Sequence, residues 1–260
     1  MENKYPLDAW EDYYKNEKKI HLMPKVGFFQ PYDIFLCDSI MAKYLPHNNN
    51  NKNSMKICEI GFGDGKLLKK IADRFNYEPY GIEYSKEAVQ TAVKGVHGIL
   101  GDIFDENLAS QYKEKFDIVF SYGFIEHIIP PEKAIQAHLN VLKRGGLLVL
   151  QIPRFKKFNW LKAKLFRPDL LPLHNLAIME QEVLSNLGLK AGLQEVFCKN
   201  YGTLKLRFPM AKKDGWYYAL KIICLLEYVF NPLLRTFFKN KGFETRLFSP
   251  AVMYIGRKPL

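Results

Sequence analysis

Cysteine is scarce in this chain of 260 residues. Cys37, Cys58, Cys198 and Cys224 stand far apart with no C-x-x-C spacing, so nothing points to a disulfide framework or a thiolate zinc site. The N-terminus is charged and polar and lacks the apolar core of a signal peptide, so secretion is not expected and a reducing cytoplasm is the simplest compartment. A long, uninterrupted apolar run is missing too. Trp216 to Phe238 comes nearest, with 17 apolar residues in 23, but Glu227 lies at its centre, Lys221 and Arg235 near its ends, and Pro232 should break it. A spanning helix needs about twenty mostly apolar residues, and a central carboxylate costs roughly 2.5 to 3.5 kcal/mol on insertion scales. A buried lid, a dimer contact or a surface lying on a membrane is expected instead.

Acidic residues are sparse after Pro153. Met1 to Pro153 holds 19 basic and 20 acidic residues, whereas Arg154 to Leu260 holds 19 and 7, a net of +12 that accounts for the formal +11 of the whole chain. Such asymmetry points to an anionic partner for the C-terminal half, whether nucleic acid, phosphorylated lipid or membrane surface. With 48% apolar content the chain can bury one sizeable core, with room for a subdomain.

What is present is organised around Met55 to Gly65, MKICEIGFGDG. Lys56 to Ile60 reads as a buried strand, and Asp64 to Phe75 repeats apolar residues at helical spacing. Between them Gly61, Gly63 and Gly65 allow a sharp turn beneath a ligand, where a Cβ would clash. Two familiar glycine signatures fail: Lys66 stands where a dinucleotide fingerprint needs its third glycine, and Lys66-Leu67 does not complete a phosphate loop.

Glu59-x-Gly-x-Gly-x-Gly instead resembles motif I of the class I methyltransferases that use S-adenosylmethionine. Later segments carry the resemblance in order. The strand Pro79 to Ile82 ends at Glu83, 22 residues after Gly61, where a carboxylate is placed to hold ribose hydroxyls. Gly98 to Gly101 ends in Asp102-Ile103, like the family's adenine-binding pair. Phe116 to Ser121 runs into Tyr122-Gly123-Phe124-Ile125-Glu126-His127, like its motif IV loop, and Leu142 to Leu150 is similar to its glycine turn and fifth strand.

The resemblance implies a Rossmann-like α/β three-layer sandwich. Its seven-stranded, mostly parallel sheet has order 3-2-1-4-5-7-6 and an antiparallel last strand, with N-terminal and C-terminal helical caps. It implies S-adenosyl-L-methionine as cofactor, held by Glu59, Gly61, Gly63, Gly65, Glu83, Tyr84, Asp102, Ile103, Ser121 and Tyr122. One domain over 1–260 is expected: a helical cap over 1–54, a cofactor-binding core over 55–153, and an acceptor-side half over 154–260 with a helical insertion at about 201–247.

The rest of the chain supplies the remaining expectations. Trp10 to Tyr14 reads as a short amphipathic helix over the cofactor, Gln30 to Leu45 as a helix before the first strand, and His47 to Ser54 as an asparagine-rich loop. Helices are predicted over Lys86 to Val93, Pro131 to Leu142 and His174 to Leu187. Phe155 to Arg167 reads as a basic amphipathic helix, with Phe155, Phe158, Leu161, Leu165 and Phe166 opposite Lys156, Lys157, Lys164 and Arg167. Lys162 interrupts its apolar stripe. Leu193 to Cys198 and Ala251 to Arg257 resemble the closing antiparallel strand pair.

A sulfonium methyl is already electrophilic, so the protein needs to align a nucleophile and remove a proton. His127 is the best-placed base, with Glu126 as its orienter, and His174 is a second candidate. Ser121-Tyr122-Gly123-Phe124 lacks the Asp/Asn-Pro-Pro-aromatic run of exocyclic-amine methyltransferases, and no cysteine lies there for cytosine C5 chemistry. Glu126 and His127 do not continue into the acidic pattern of metal-dependent quinone-pathway relatives, so no metal is predicted. The expected reaction is O-methylation of a hydroxyl on an apolar, glycan or lipid-linked small molecule. That acceptor is amphiphilic or anionic, and the protein is cytoplasmic and peripheral at a membrane. RNA methylation and a non-catalytic cofactor-binding partner protein are the alternatives, and the oligomeric state stays open.

Overall fold

Apolar side chains alternate along the strands, and that alternation decides how the sheet is packed. The computed structural model describes residues 31–49, 54–206, 215–239 and 245–260, so the predicted Trp10 to Tyr14 helix lies outside the described residues. Strands β1 (Lys56–Ile60), β2 (Glu78–Glu83), β3 (His97–Leu100), β4 (Phe116–Tyr122) and β5 (Leu142–Pro153) run parallel. β7 (Ala251–Arg257) lies antiparallel between β5 and β6 (Gln194–Tyr201). The order is β3-β2-β1-β4-β5-β7-β6, as expected.

Successive residues serve opposite faces. Cys58, Val119, Leu148 and Val252 pack on one side with Ile135 and Leu139 of α5 (Pro131–Val141) and Leu184 and Leu187 of α7 (Gln181–Lys190). Ile57, Ile118, Leu147 and Met253 pack on the other, with Leu36 and Met41 of α1 (Tyr32–Tyr44) and Leu68, Ile71 and Phe75 of α2 (Lys66–Phe75). A slip of one residue would exchange the two faces, so the register is firmly set. Two short helices, α3 (Lys86–Gln90) and α4 (Glu106–Gln111), complete the crossovers.

Several boundaries differ from the sequence reading, each for a local reason. α2 begins at Lys66 because Gly65 caps it in the left-handed region, at φ +71°. α3 ends at Gln90 instead of Val93. The helix expected from His174 begins only at Gln181. Before it, Pro168–Leu173 and Leu176–Ile178 form 3-10 turns, the second capped by the Asn175 side chain, which accepts from the Ala177 N–H at 3.2 Å.

Two helices after Pro153 correct the sequence reading more deeply. In α6 (Lys157–Phe166) the buried side is Asn159, Lys162 and Ala163, while Trp160, Leu161 and Leu165 are exposed. Lys162 is therefore an anchor and not an interruption: its ammonium donates to the Lys205 carbonyl. Of the predicted apolar stripe, Leu161 and Leu165 face outward, while Phe155 packs against the core and Phe158 meets the Phe248 ring. α8 (Gly215–Phe238) runs through Pro232 without ending. It is held to the body by polar groups: Glu227 accepts from the Leu206 N–H, and Asn231 Oδ1 accepts from the Tyr32 N–H at 3.1 Å. Those long-range anchors offset the backbone hydrogen bond that proline removes.

Candidate active site

The strand order reverses between β1 and β4, and open α/β sheets bind ligands beyond the carboxyl ends of the strands at that point. There the glycine turn leaves β1 with Gly61 at φ +72° and Gly63 at φ +55°. The Gly61 N–H donates to the Ile82 carbonyl at 2.8 Å, which pins the turn against β2. A Cβ on Gly61 would lie 3.0 Å from the Phe124 ring, so the loop after β4 closes directly over the turn.

The predicted cofactor residues gather along this edge. Glu83, buried at the end of β2, accepts from the Gly63 N–H through Oε2 and from the Ser85 N–H through Oε1, both at 3.0 Å. It thus staples the glycine turn to the second strand as well as facing the ligand edge. Asp102, after β3, accepts from the Phe104 N–H at 2.9 Å, with Ile103 buried beside it. Tyr84 and Tyr122 stand exposed at the ends of β2 and β4.

Glu59 is fully buried. Burial pushes its carboxyl well above the usual range, the charges of Asp64 and Glu83 push the same way, and a hydrogen bond from the Leu68 backbone opposes them. Glu59 Oε2 and Ser121 Oγ are buried without a partner in the protein, and buried polar atoms are normally paired. The set suits S-adenosylmethionine: carboxylates at the ends of β1 and β2 for the ammonium and ribose hydroxyls, and an acidic-apolar pair for adenine.

A second cluster sits one loop further on. Glu126, His127 and His174 bring their side-chain ligand atoms within 4.8 Å of one another. A 3-10 turn, Ile125–His127, presents the first two. The Asn175 N–H donates to the Glu126 carbonyl at 2.7 Å, which ties the segment carrying His174 to that turn. His127 Nδ1 lies 2.9 Å from the Leu173 carbonyl and His174 Nδ1 2.6 Å from the Leu170 carbonyl. A carbonyl only accepts, so each Nδ1 carries the proton and each Nε2 presents its lone pair.

His127 Nε2 lies 3.9 Å from Glu126 Oε1, and the two rings are 4.6 Å apart. Burial, with His174 adding to it, holds His127 down to about 4; burial alone lifts Glu126 to about 8. Both carboxylate oxygens of Glu126 lack a hydrogen-bond partner. The two imidazoles are therefore neutral proton acceptors, whereas the Glu126 carboxyl holds its proton at neutral pH and becomes an acceptor, a stronger base than His127, only once it ionises. Sequence reading placed Glu126 only as an orienter, because adjacency does not reveal which of two neighbours is buried.

Arg154 escaped the sequence reading altogether. Fully buried after β5, it pairs with both Glu180 oxygens through Nη2, at 2.9 and 3.1 Å, and its Nη1 donates to the Arg246 carbonyl at 2.9 Å. It joins the end of the fifth strand to the start of α7 and to the stretch before β7.

The sequence model of a family described as "Methyltransferase domain" matches residues 33–195. The ubiquinone biosynthesis O-methyltransferase of Actinobacillus pleuropneumoniae serotype 5b (strain L20) is 28% identical over 131 residues, 47% of this chain and 55% of that protein. Phosphoethanolamine N-methyltransferase 2 of Caenorhabditis elegans is 28% identical over 104 residues, 38% of this chain and 24% of that protein. The chain thus spans about half the length, or less, of these curated relatives. Among solved structures, a SAM-dependent methyltransferase from Archaeoglobus fulgidus superposes with a TM-score of 0.56 at 17% identity, over 96% of this chain and 99% of that one. Phosphoethanolamine N-methyltransferase 2 of Haemonchus contortus, in complex with S-adenosyl-L-methionine, superposes with a TM-score of 0.55 at 14% identity, over 90% and 55%.

Proposed function

The chain belongs to the S-adenosylmethionine-dependent methyltransferases, and from that premise we propose that it methylates a hydroxyl oxygen of an apolar, glycan or lipid-linked small molecule. The bound cofactor supplies an electrophilic sulfonium methyl group. The chain supplies the binding edge and the removal of a proton.

The observation that carries this reading is the pair of imidazole acceptors, His127 and His174, set beside the buried Glu126 carboxyl. Two imidazoles with protonated Nδ1 offer Nε2 lone pairs to an incoming group, and the buried Glu126 carboxyl adds an acceptor once it ionises. A hydroxyl, which must lose its proton to become a good nucleophile, suits them. His127 takes that proton through Nε2, the ionised Glu126, whose Oε1 lies 3.9 Å from the same nitrogen, stabilises the resulting imidazolium, and His174 orients the hydroxyl. Glu59 faces the cofactor's ammonium, Glu83 its ribose, Asp102 and Ile103 its adenine, and the glycine turn its backbone-side surface. Tyr84, Ser121 and Tyr122 line the same edge.

Similarity to proteins named ubiquinone biosynthesis O-methyltransferases supports oxygen as the acceptor atom. The basic half after Pro153 favours an acceptor with an anionic part. It fits a cytoplasmic enzyme held peripherally at a membrane. The same charge also favours an RNA acceptor, the second reading. An unbiased acceptor screen with methyl-labelled S-adenosylmethionine decides between them. Label in an alkali-stable methyl ether of a small amphiphile is the expected result; label recovered only in RNA overturns the reading.

A further inference from the structure

α8 holds polar groups against the body, beside Leu234 packed on the core, and leaves a long apolar stripe outside. Its 24 residues extend about 36 Å, and the side held against the body carries Glu227 and Asn231, both buried. Arg235 stacks over Phe35 on that same side, 4.3 Å from the ring centroid. Tyr218, Ile222, Leu225, Val229, Leu233 and Phe237 recur at spacings of three and four along the opposite side, and all are exposed. A helix serving only to cover a core buries its apolar stripe and shows its charges to water. A contiguous exposed stripe of this length marks a contact surface.

α6 repeats the arrangement beside it. Lys162 of α6 and Glu227 of α8 are anchored to consecutive residues, the Lys205 carbonyl and the Leu206 N–H. Both helices therefore moor their polar sides to one stretch of backbone and turn their other sides outward. On α6 the outward side mixes Trp160, Leu161 and Leu165 with the exposed Lys157 and Lys164. Lys164 lies over the Trp160 ring at 4.9 Å.

We infer that the outward faces of α8 and α6 together form a docking surface for an anionic lipid bilayer, on which the enzyme lies without crossing it. Aliphatic and aromatic side chains enter the boundary between headgroups and acyl chains, while Lys157 and Lys164 meet the phosphates. Among the described residues no helix is long and apolar enough to cross a membrane. A second copy is a poorer occupant, because a two-fold contact would bring together two halves that each carry a net +12. Nucleic acid would use the lysines and leave the apolar stripe in water. This inference deepens the amphiphilic-acceptor reading, and it rests on that reading only for its purpose: binding to lipid alone tests the surface, and its failure leaves methyl transfer untouched.

The test is co-sedimentation of the full chain, without acceptor, with phosphatidylglycerol/phosphatidylcholine vesicles and with pure phosphatidylcholine vesicles. Retention is expected on the anionic vesicles at low salt, falling at high salt and weak on the neutral ones. Val229→Glu with Leu233→Glu should abolish it. Lys157→Gln with Lys164→Gln should weaken it about fivefold per lysine, the equivalent of about 1 kcal/mol each. All four positions are exposed, so both variants should keep wild-type cofactor affinity, which verifies the fold. Retention of the double-glutamate variant at the wild-type level would overturn the inference. So would a wild-type protein that ignores anionic vesicles, or a lipid-free dimer that the glutamates split, which would assign the face to a second copy.

Discussion

Replacing Glu83 by glutamine should weaken cofactor binding and loosen the glycine turn, and the two effects can be read separately. Both Glu83 oxygens accept buried backbone N–H groups, from Gly63 and from Ser85, each at 3.0 Å. Ser85 in turn caps α3, its Oγ accepting from the Ala88 N–H at 3.2 Å. An alanine would strand both donors, at about 1 to 3 kcal/mol each, a large share of the roughly 5 to 15 kcal/mol that holds a domain folded. Glutamine keeps the shape and one accepting oxygen, and turns an amide N–H₂ toward the other donor. One stranded N–H then costs about 1 to 3 kcal/mol, a fall in melting temperature of about 2 to 12 °C.

The carboxylate's hold on the ribose hydroxyls goes with the charge, so affinity should drop by another 1 to 3 kcal/mol or so, about 5-fold to 150-fold in Kd. Isothermal titration with S-adenosylmethionine measures the second effect and thermal denaturation the first. Glu78→Gln at the other end of the same strand is the control: its carboxylate accepts from the Tyr80 hydroxyl at 2.5 Å and lies 3.9 Å from Lys56, glutamine keeps an accepting oxygen for Tyr80, and neither readout should change greatly. A folded Glu83→Gln protein with Kd within twofold of wild type would refute the reasoning, leaving Glu83 as a staple of the loop alone.

The remaining predictions concern protons. With His127 held down to about 4 and Glu126 lifted to about 8, kcat/KM should rise with pH up to about 8 as the Glu126 carboxyl ionises. Glu126→Gln should remove that limb and leave only an acid limb near 4; a single limb near 6.5 in the wild type would contradict the assignment. His127→Ala should lower turnover about 100-fold or more with cofactor affinity unchanged, whereas joint loss of both would mark a structural histidine; His174→Ala is the paired control. Glu59, raised well above the carboxylate range when buried beside Asp64 and Glu83, should ionise when it meets the cofactor's ammonium. Binding should therefore release a proton and tighten as pH rises toward the unliganded pKa. Titrations in two buffers of different ionisation enthalpy should differ for the wild type and agree for Glu59→Gln; agreement for both would refute it.

Local pattern and tertiary structure divided the work along a physical line. Lys56 to Phe75 declared a strand, a turn and a helix because alternation, glycines and helical spacing act over a few residues, and the resemblance that begins there led to the strand order, all seven strands and the placement of Glu83 and Asp102 on one edge. The choice of which side a helix buries is different in kind, because it depends on partners far along the chain. Lys162 reads as a flaw in an apolar stripe until its bond to the Lys205 carbonyl, 43 residues away, shows it to be the anchor. Glu227 reads as a carboxylate out of place at the centre of an apolar run until the Leu206 N–H is seen to meet it. Likewise Glu126 and His127 are adjacent in sequence, yet only the approach of the Leu173 carbonyl fixes the imidazole tautomer, and only burial, with His174 adding to it, depresses the imidazole's basicity while it raises that of Glu126. Periodicity records what a residue is and how it repeats. The desolvation, hydrogen-bond partners and exposed faces that decide the chemistry and the docking surface come into being only when distant segments pack together.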